Sequence, residues 1–192
     1  MSSNKSASEP QLIQLERLPL WRIMAACDLL CMHFGKRREV PIRFPKHRRG
    51  QKETVGDFAL HINIPWRFHR NHSIWVGSQD MYYCADPNES YDWENRCTRR
   101  FDVYAQSLNH ALDSNDFVVE RVLLDEAFGF RLELSQGLIF DAMPNVSTHT
   151  EGKEFWRLFT PATDGDHLVV GTERDHIPNP GFKDAGSKIA DI

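Results

Sequence analysis

The sequence predicts an α+β fold, built mainly from an antiparallel β-sheet, curved or split, of about seven or eight strands with one principal packed helix. Most apolar segments are short, alternate with polar residues and are separated by turn-forming residues. Only one long segment has helical periodicity that does not also fit a strand. The connections are too short for the crossovers that parallel strands need, so neighbouring strands are expected to be antiparallel.

The segment 19–35, PLWRIMAACDLLCMHFG, fits two patterns. Its apolar residues recur at helical spacing, and they also alternate as in a strand buried on both faces. Periodicity alone therefore leaves helix and strand open for residues 20–34. A resemblance described below favours a strand that ends at Gly35.

The clearest strand of the first half is DFALHINIP, residues 57–65. Its apolar side chains alternate along one face, at Phe58, Leu60, Ile62 and Ile64. Pro65 ends the strand because proline has no backbone N–H to donate. We expect WRFHRNH, residues 66–72, to be a turn region, and SIWVGSQDMYY, residues 73–83, to begin another strand.

One helix is expected over TRRFDVYAQSLNHAL, residues 98–112. An apolar stripe repeats there at spacings of three and four residues, formed by Phe101, Tyr104, Ala105, Leu108, Ala111 and Leu112. Thr98 is the predicted N-cap, and DSND, residues 113–116, ends the pattern.

A meander of five further strands is predicted after the helix. The strand segments are FVVERVLLD (117–125), FGFRLELSQG (128–137), LIFDAM (138–143), EFWRLFTP (154–161) and HLVVGTE (167–173). In the second of them, apolar residues alternate with the outward-facing Arg131 and Glu133.

The chain divides into a predicted disordered lead (1–11), a single domain (12–173) and a loose C-terminal tail (174–192). Its net charge is −4, yet residues 36–52 hold eight basic residues and one acidic residue, a local charge of +7. We therefore distinguish a basic loop, residues 36–56, and an acidic excursion, residues 85–97.

No apolar run approaches the ~20 residues that cross a bilayer. The first eleven residues, MSSNKSASEPQ, lack the apolar segment of a signal peptide. We therefore expect a cytoplasmic protein with free thiols at Cys27, Cys31, Cys84 and Cys97. Their spacings differ from the close pairs of zinc sites, and neither a metal nor a cofactor is expected.

Four segments resemble small, stand-alone and largely uncharacterised bacterial proteins: CDLLCMHFG (27–35), GDFALHINIPWRF (56–68), GFRLELSQGLIFDAMPN (129–145) and EFWRLF (154–159). The late strand, glycine turn and W-R-L-F strand are also similar to a block in immunity proteins of bacterial toxin systems. The resemblance covers 20–35, 56–76 and 117–172. It implies a cytosolic α+β protein with a binding role, and it brings no catalytic signature.

The first functional expectation is thus a non-enzymatic module that binds a protein, as an immunity or accessory factor of a toxin or defence system. The basic loop and the acidic excursion lie outside the resemblance and are the candidate contact surfaces. Arginine and aromatic side chains dominate interface hot spots. The candidate contacts are Arg37, Arg38, Arg43, Arg48, Arg49, Tyr91 and Trp93.

The alternative is an accessory protein that binds nucleic acid through residues 36–52. Lysines and arginines there can neutralise phosphates, and nearby aromatic rings can stack on bases when exposed. Besides the arginines of the basic loop, this interpretation uses Lys36, Lys46, Lys52, Trp66 and Arg67. The acidic balance of the rest of the chain argues against it.

The third interpretation is a small hydrolase around His61, His69 and Asp80. A second pairing, Cys31 with His61, can also meet across adjacent strands. No phosphate-binding loop, dinucleotide-binding fingerprint or nucleophile elbow accompanies these residues, so an enzyme is the least favoured of the three.

Overall fold

A ten-stranded antiparallel sheet and a separate two-stranded hairpin account for the strands of the computed structural model. The structure describes residues 11–42, 50–91, 97–114, 117–147, 152–162 and 167–172. The strands are β1 (Pro19–Ala26), β2 (Leu29–Phe34), β3 (Arg38–Pro41), β4 (Lys52–Val55), β5 (Phe58–Ile62), β6 (Trp66–Arg70), β7 (Ser73–Gly77), β8 (Phe117–Leu124), β9 (Phe130–Leu134), β10 (Ile139–Ala142), β11 (Glu154–Phe159) and β12 (Leu168–Gly171). Helix α1 spans Arg100–Ser114.

The strand order in the large sheet is β12-β11-β5-β2-β1-β8-β9-β10-β6-β7, and β3 pairs with β4 outside it. The predicted α+β class, antiparallel pairing and single principal helix are confirmed. The predicted strand number is too low, because the large sheet alone has ten strands.

Three local features explain the missing strands. Residues 20–34 form a hairpin, β1 and β2, whose turn at Cys27 has a positive φ of 58° without glycine or proline to mark it. The expected turn region 66–72 is strand β6, and the turn proper is Asn71-His72, both with positive φ. The expected loop 36–56 includes the paired strands β3 and β4.

Helix α1 packs on the sheet through a narrower stripe than predicted. Phe101, Ala105, Leu108 and Leu112 are buried, whereas Tyr104 is 41% exposed. The helix begins at Arg100, so Thr98 is not its N-cap; the Asp102 carboxylate instead accepts a hydrogen bond from the backbone N–H of Arg99. The ring of Phe101 meets Trp66 edge-on at 5.9 Å and ties the helix to β6.

The fully buried Trp156 connects distant parts of the sheet. It lies on β11, and its ring contacts Phe130 of β9 edge-on at 5.4 Å, although four strands separate β11 from β9 in the strand order. Its indole Nε1 donates to the backbone carbonyl of Phe128 at 2.8 Å. The predicted curvature or splitting of the sheet stays a prediction, which this contact supports.

Strand β1 keeps an open edge beyond its first residues, because β8 pairs with it only at Pro19 and Leu20. Further along this edge, the side chain of Asn109 on α1 hydrogen-bonds to the backbone of Ile23. Its Oδ1 accepts from the Ile23 N–H at 2.8 Å, and its Nδ2 donates to the Ile23 carbonyl at 2.9 Å. One side chain thus replaces the two hydrogen bonds that a neighbouring strand supplies.

We expect Asn109→Ala to lower the free energy of unfolding by about 1–3 kcal/mol, because both backbone groups of Ile23 lose their partner. Urea denaturation measures the change. The matched control is Ser107→Ala on the exposed face of the same helix, which is expected to change stability by less than about 0.5 kcal/mol. Equal losses for both variants contradict the role assigned to Asn109.

Candidate functional site

Three adjacent strands bring together a charged group that we call the Asp141 cluster: Arg67 and His69 on β6, Arg131 on β9 and Asp141 on β10. Asp141 is the register partner of Arg67 on one side and of Arg131 on the other. The three residues therefore form one row across the sheet, on the face opposite to that of the buried Phe140.

The carboxylate of Asp141 accepts four hydrogen bonds from two arginines and lies within hydrogen-bond distance of His69. Arg67 donates through Nε at 3.1 Å and Nη2 at 3.0 Å, both to Oδ2. Arg131 donates through Nε to Oδ1 at 2.7 Å and through Nη2 to Oδ2 at 3.2 Å. The Nε2 atom of His69 lies 3.0 Å from Oδ2.

The electrostatics of the cluster keep this carboxyl group charged. Burial acts to raise the pKa of Asp141, but the hydrogen bonds from Arg131 and Arg67 outweigh burial, so the pKa lies below its usual value. The hydrogen bond to Asp141 also raises the pKa of Arg131. Apart from His69, two guanidiniums and one carboxylate leave a net charge of +1.

Sequence reasoning missed this cluster as a unit. The strand LIFDAM was correctly predicted, and its lone aspartate in an apolar strand was the available signal. The sequence does not show which residues face each other on neighbouring strands. Asp141 and Arg67 are 74 residues apart in the chain.

The described part of the basic loop is largely paired with this chain's own acids. Arg37 contacts Asp113 at 2.5 Å, Arg38 contacts Asp57 at 2.6 Å, and Lys52 contacts Glu39 at 3.0 Å. The predicted contacts Arg43, Lys46, Arg48 and Arg49 lie outside the described residues. The pairing reduces the local excess of positive charge that motivated both binding interpretations.

The nucleic-acid alternative stays a prediction, and one placement counts against it. Trp66 is 3% exposed and packs against Phe68, Phe101 and Phe140, so its ring has no face free for a base. Arg67 belongs to the Asp141 cluster on β6. Asp57 also accepts a hydrogen bond from the backbone N–H of Lys36, which fixes the start of the basic loop.

The three hydrolase candidates have different surroundings. His61 on β5 contacts the ring of Phe159 edge-on at 4.8 Å, and His69 contacts Asp141. Asp80 accepts from the backbone N–H of Gly77 at 2.9 Å at the start of a short 3-10 helix. No contact among the described residues joins the three side chains.

Cys31 and His61, which the sequence allowed to meet across adjacent strands, are register partners of β2 and β5. The protonation states of the two side chains differ from those of a thiolate–imidazolium pair. Burial raises the pKa of the Cys31 thiol to about 11. Burial and then the charge of Arg157 lower the pKa of His61 to about 4. Both groups are therefore neutral at pH 7, which argues against a nucleophilic cysteine here.

The acidic excursion is closed by a disulfide between Cys84 and Cys97. The expectation of free thiols is wrong for these two cysteines and confirmed for Cys27 and Cys31. Backbone hydrogen bonds from Ala85 to Thr98 and from Arg100 to Tyr83 flank the disulfide. We call residues 84–97 the disulfide loop; Trp93 lies outside the described residues.

Tyrosines line the base of the disulfide loop. Tyr83 is 52% exposed and lies under the guanidinium of Arg100, which is 5.1 Å from the ring centre. Tyr82 is also exposed, and its ring meets that of Tyr91 edge-on at 6.3 Å. The predicted contact residue Tyr91 therefore belongs to an aromatic group that includes two residues the sequence interpretation omitted.

Among the described residues, one group of potential metal ligands lies close together: Cys84, Glu89 and Cys97. Both sulfur atoms of this group are committed to the disulfide. They are therefore not thiolates, the form in which cysteine binds metals.

The fold and these sites define the chain as an α+β protein with a charged sheet face and a disulfide-closed surface loop. No protein-family model matches the sequence, and neither a curated protein nor a solved structure matches it. Within the described ranges, no helix has both the length and the apolar character needed to cross a bilayer.

Proposed function

We propose that this chain is a non-enzymatic protein-binding module whose contact surface is the disulfide loop together with Tyr82 and Tyr83. The observation that carries the proposal is the exposed tyrosine pair directly beside a covalently closed loop. Tyrosine offers a large contact area at a low cost in conformational entropy, which is why it is common in protein interfaces.

The ordering of this surface supports the proposal. The disulfide, the two flanking backbone hydrogen bonds and the stacking of Arg100 on Tyr83 restrict the base of the loop. At its start, the side chain of Asp86 accepts from the backbone N–H of Asn88 at 2.8 Å. A surface ordered before binding loses less entropy when a partner docks.

The chemistry of the loop points to a basic partner. Asp86 and Glu89 are exposed next to the tyrosines. An acidic and aromatic surface complements arginine-rich or lysine-rich surfaces, because opposite charges steer association and arginine stacks on aromatic rings.

The partner class that we propose, a component of a bacterial toxin or defence system, is supported by the resemblance of the late strand-turn-strand block to immunity proteins. The predicted cytoplasmic location stays part of this proposal. The disulfide counts against that location, since such bonds persist mainly in oxidising compartments. Thiol trapping in intact cells measures the state of Cys84 and Cys97 directly.

Site-specific photocrosslinking in the native cell tests the proposal. A photoreactive residue at Tyr83 is expected to capture a defined partner, and the same residue at Val169, an exposed position on β12 at the far end of the sheet order, is not. With the purified partner, Tyr83→Ala is expected to weaken binding by about tenfold or more, and Val169→Ala to leave it unchanged.

Two results contradict the proposal. One is the absence of any crosslink specific to position 83. The other is equal loss of affinity in both alanine variants. The narrower claim is tested by co-expression: protection against a growth-inhibiting partner that requires Tyr83 supports an immunity role, and binding without protection contradicts it.

A further inference from the structure

The two arginines of the Asp141 cluster do not use all their donors on the carboxylate. An arginine side chain presents five N–H groups. Arg67 and Arg131 each direct Nε and Nη2 to Asp141. Among the residues that the structure describes, the remaining terminal nitrogen of each, Nη1, has no hydrogen-bond partner.

The shared oxygen of Asp141 brings the two guanidiniums close together. Both Nη2 atoms bond to Oδ2, at 3.0 Å from Arg67 and 3.2 Å from Arg131. They therefore lie no more than about 6 Å apart, a gap that one tetrahedral oxyanion can bridge with ordinary N–H···O distances.

Exposure places the positive charge outermost. The side chains of Arg67 and Arg131 are 39% and 41% exposed, whereas that of Asp141 is 7% exposed. An anion arriving from solvent thus meets the guanidiniums before it meets the carboxylate. Gly77 is the register partner of Arg67 on β7, so the residue directly opposite Arg67 on that strand has no side chain.

The neighbouring charges leave this positive field in place. Glu133 follows on the same face of β9, and its negative charge acts on Arg131. Arg121 of β8 is the register partner of Glu133 and supplies an opposing positive charge. The charges of Glu133 and Arg121 therefore offset each other, and Arg67, Arg131 and Asp141 keep their net charge of +1.

From this geometry we propose that the Asp141 cluster is a binding site for a phosphate group, in which Arg67 and Arg131 contact the phosphate oxygens and Asp141 is a positioning residue. Guanidiniums match phosphate geometry because their parallel N–H groups form paired, charge-assisted hydrogen bonds. Since the site uses residues outside the disulfide loop, it is independent of the protein-binding function proposed above.

Titration with inorganic phosphate at constant ionic strength, followed by amide chemical shifts, tests the proposal on the full chain. We expect saturable shifts confined to β6, β9 and β10. Arg67→Gln and Arg131→Gln are each expected to weaken binding by about tenfold or more. Arg67→Lys keeps the charge but loses the paired geometry, and it is expected to fall between Arg67→Gln and the parent protein.

The matched control is Arg157→Gln. Arg157 is an arginine of similar exposure that is paired with Glu154 on β11. This variant is expected to bind phosphate as the parent does. A phosphoserine peptide forms a second arm: tighter binding than inorganic phosphate identifies a protein-borne phosphate, and equal binding identifies the free ion.

The proposal is overturned if phosphate produces no saturable shift, or if acetate produces the same shifts with the same affinity. It is also overturned if Arg157→Gln weakens binding as much as Arg131→Gln does. Thermal melting without phosphate establishes that each variant is folded. A phosphate-dependent rise in Tm that is lost only in the cluster variants is the expected second readout.

Discussion

Replacing Trp156 with alanine is expected to lower the free energy of unfolding by about 3–5 kcal/mol. The side chain is fully buried, and it contacts Phe130 and the carbonyl of Phe128 across the core. Its removal leaves a large cavity and an unpaired, partly buried carbonyl at Phe128. Urea or guanidinium denaturation of the purified variant measures the loss.

A second variant separates packing from hydrogen bonding. Trp156→Phe keeps an aromatic ring but cannot donate to Phe128, so it is expected to lose less stability than the alanine variant. Ile74→Ala, a truncation at a residue that is 61% exposed, serves as the control and is expected to cost less than about 0.5 kcal/mol. A loss below about 1 kcal/mol for Trp156→Ala contradicts the role assigned to this residue.

Mild acid is expected to destabilise the protein before most carboxylates titrate. Burial, and then the charges of Arg22 and His61, lower the pKa of His33 to about 4. Its Nδ1 accepts from the backbone N–H of Gly56 at 3.2 Å, a bond that requires this nitrogen to be unprotonated. His61 has a pKa of about 4 as well.

The direction of the pH effect follows from proton binding. An unfolded histidine titrates near pH 6.5, so between about pH 6.5 and pH 4 the unfolded chain takes up protons that the folded chain does not. Stability is therefore fully present above this window and falls as the pH drops through it. His33 contributes a loss of up to about 3 kcal/mol, and the half-buried His61 contributes less.

Urea denaturation at pH 7 and at pH 4.5 measures this change. Asp141 and Asp57 do not contribute to this change in stability between about pH 6.5 and pH 4. The pKa values of both carboxyl groups are lowered, so their effect on stability lies at still lower pH. His33→Gln is expected to flatten the dependence, whereas His72→Gln in an exposed turn is expected to keep the slope of the parent. An unchanged slope in His33→Gln rules out the proposed origin of the effect.

The alternation of apolar and polar residues correctly predicted the strands in which that alternation is clear within one short segment. Strand β5 was predicted because Leu60 and Ile62 alternate with polar residues before Pro65. The β1–β2 turn was missed because Cys27 adopts a positive φ without a residue that favours it. Strand β6 alternates equally well, with Trp66 buried and Arg67 facing out, but its histidines and arginines suggested a turn.

The candidate sites depend on contacts that local pattern does not contain. The Asp141 cluster needs the register of three strands, and the pairing of Cys84 with Cys97 needs their proximity in the fold. The sequence only allowed Cys31 and His61 to meet, because β3, β4 and the basic loop lie between their strands in the chain. The neutral protonation state of this pair followed only from burial, which the sequence does not specify.

The strand order has a consequence for synthesis on the ribosome. Strand β5 pairs with β11, whose first residue, Glu154, follows Ile62 by about ninety residues. At translation rates of about 5–20 residues per second, that edge of β5 waits roughly 5–20 seconds for its partner. An unpaired edge is a template for aggregation, so elongation rate and chaperone supply become determinants of the yield of folded protein.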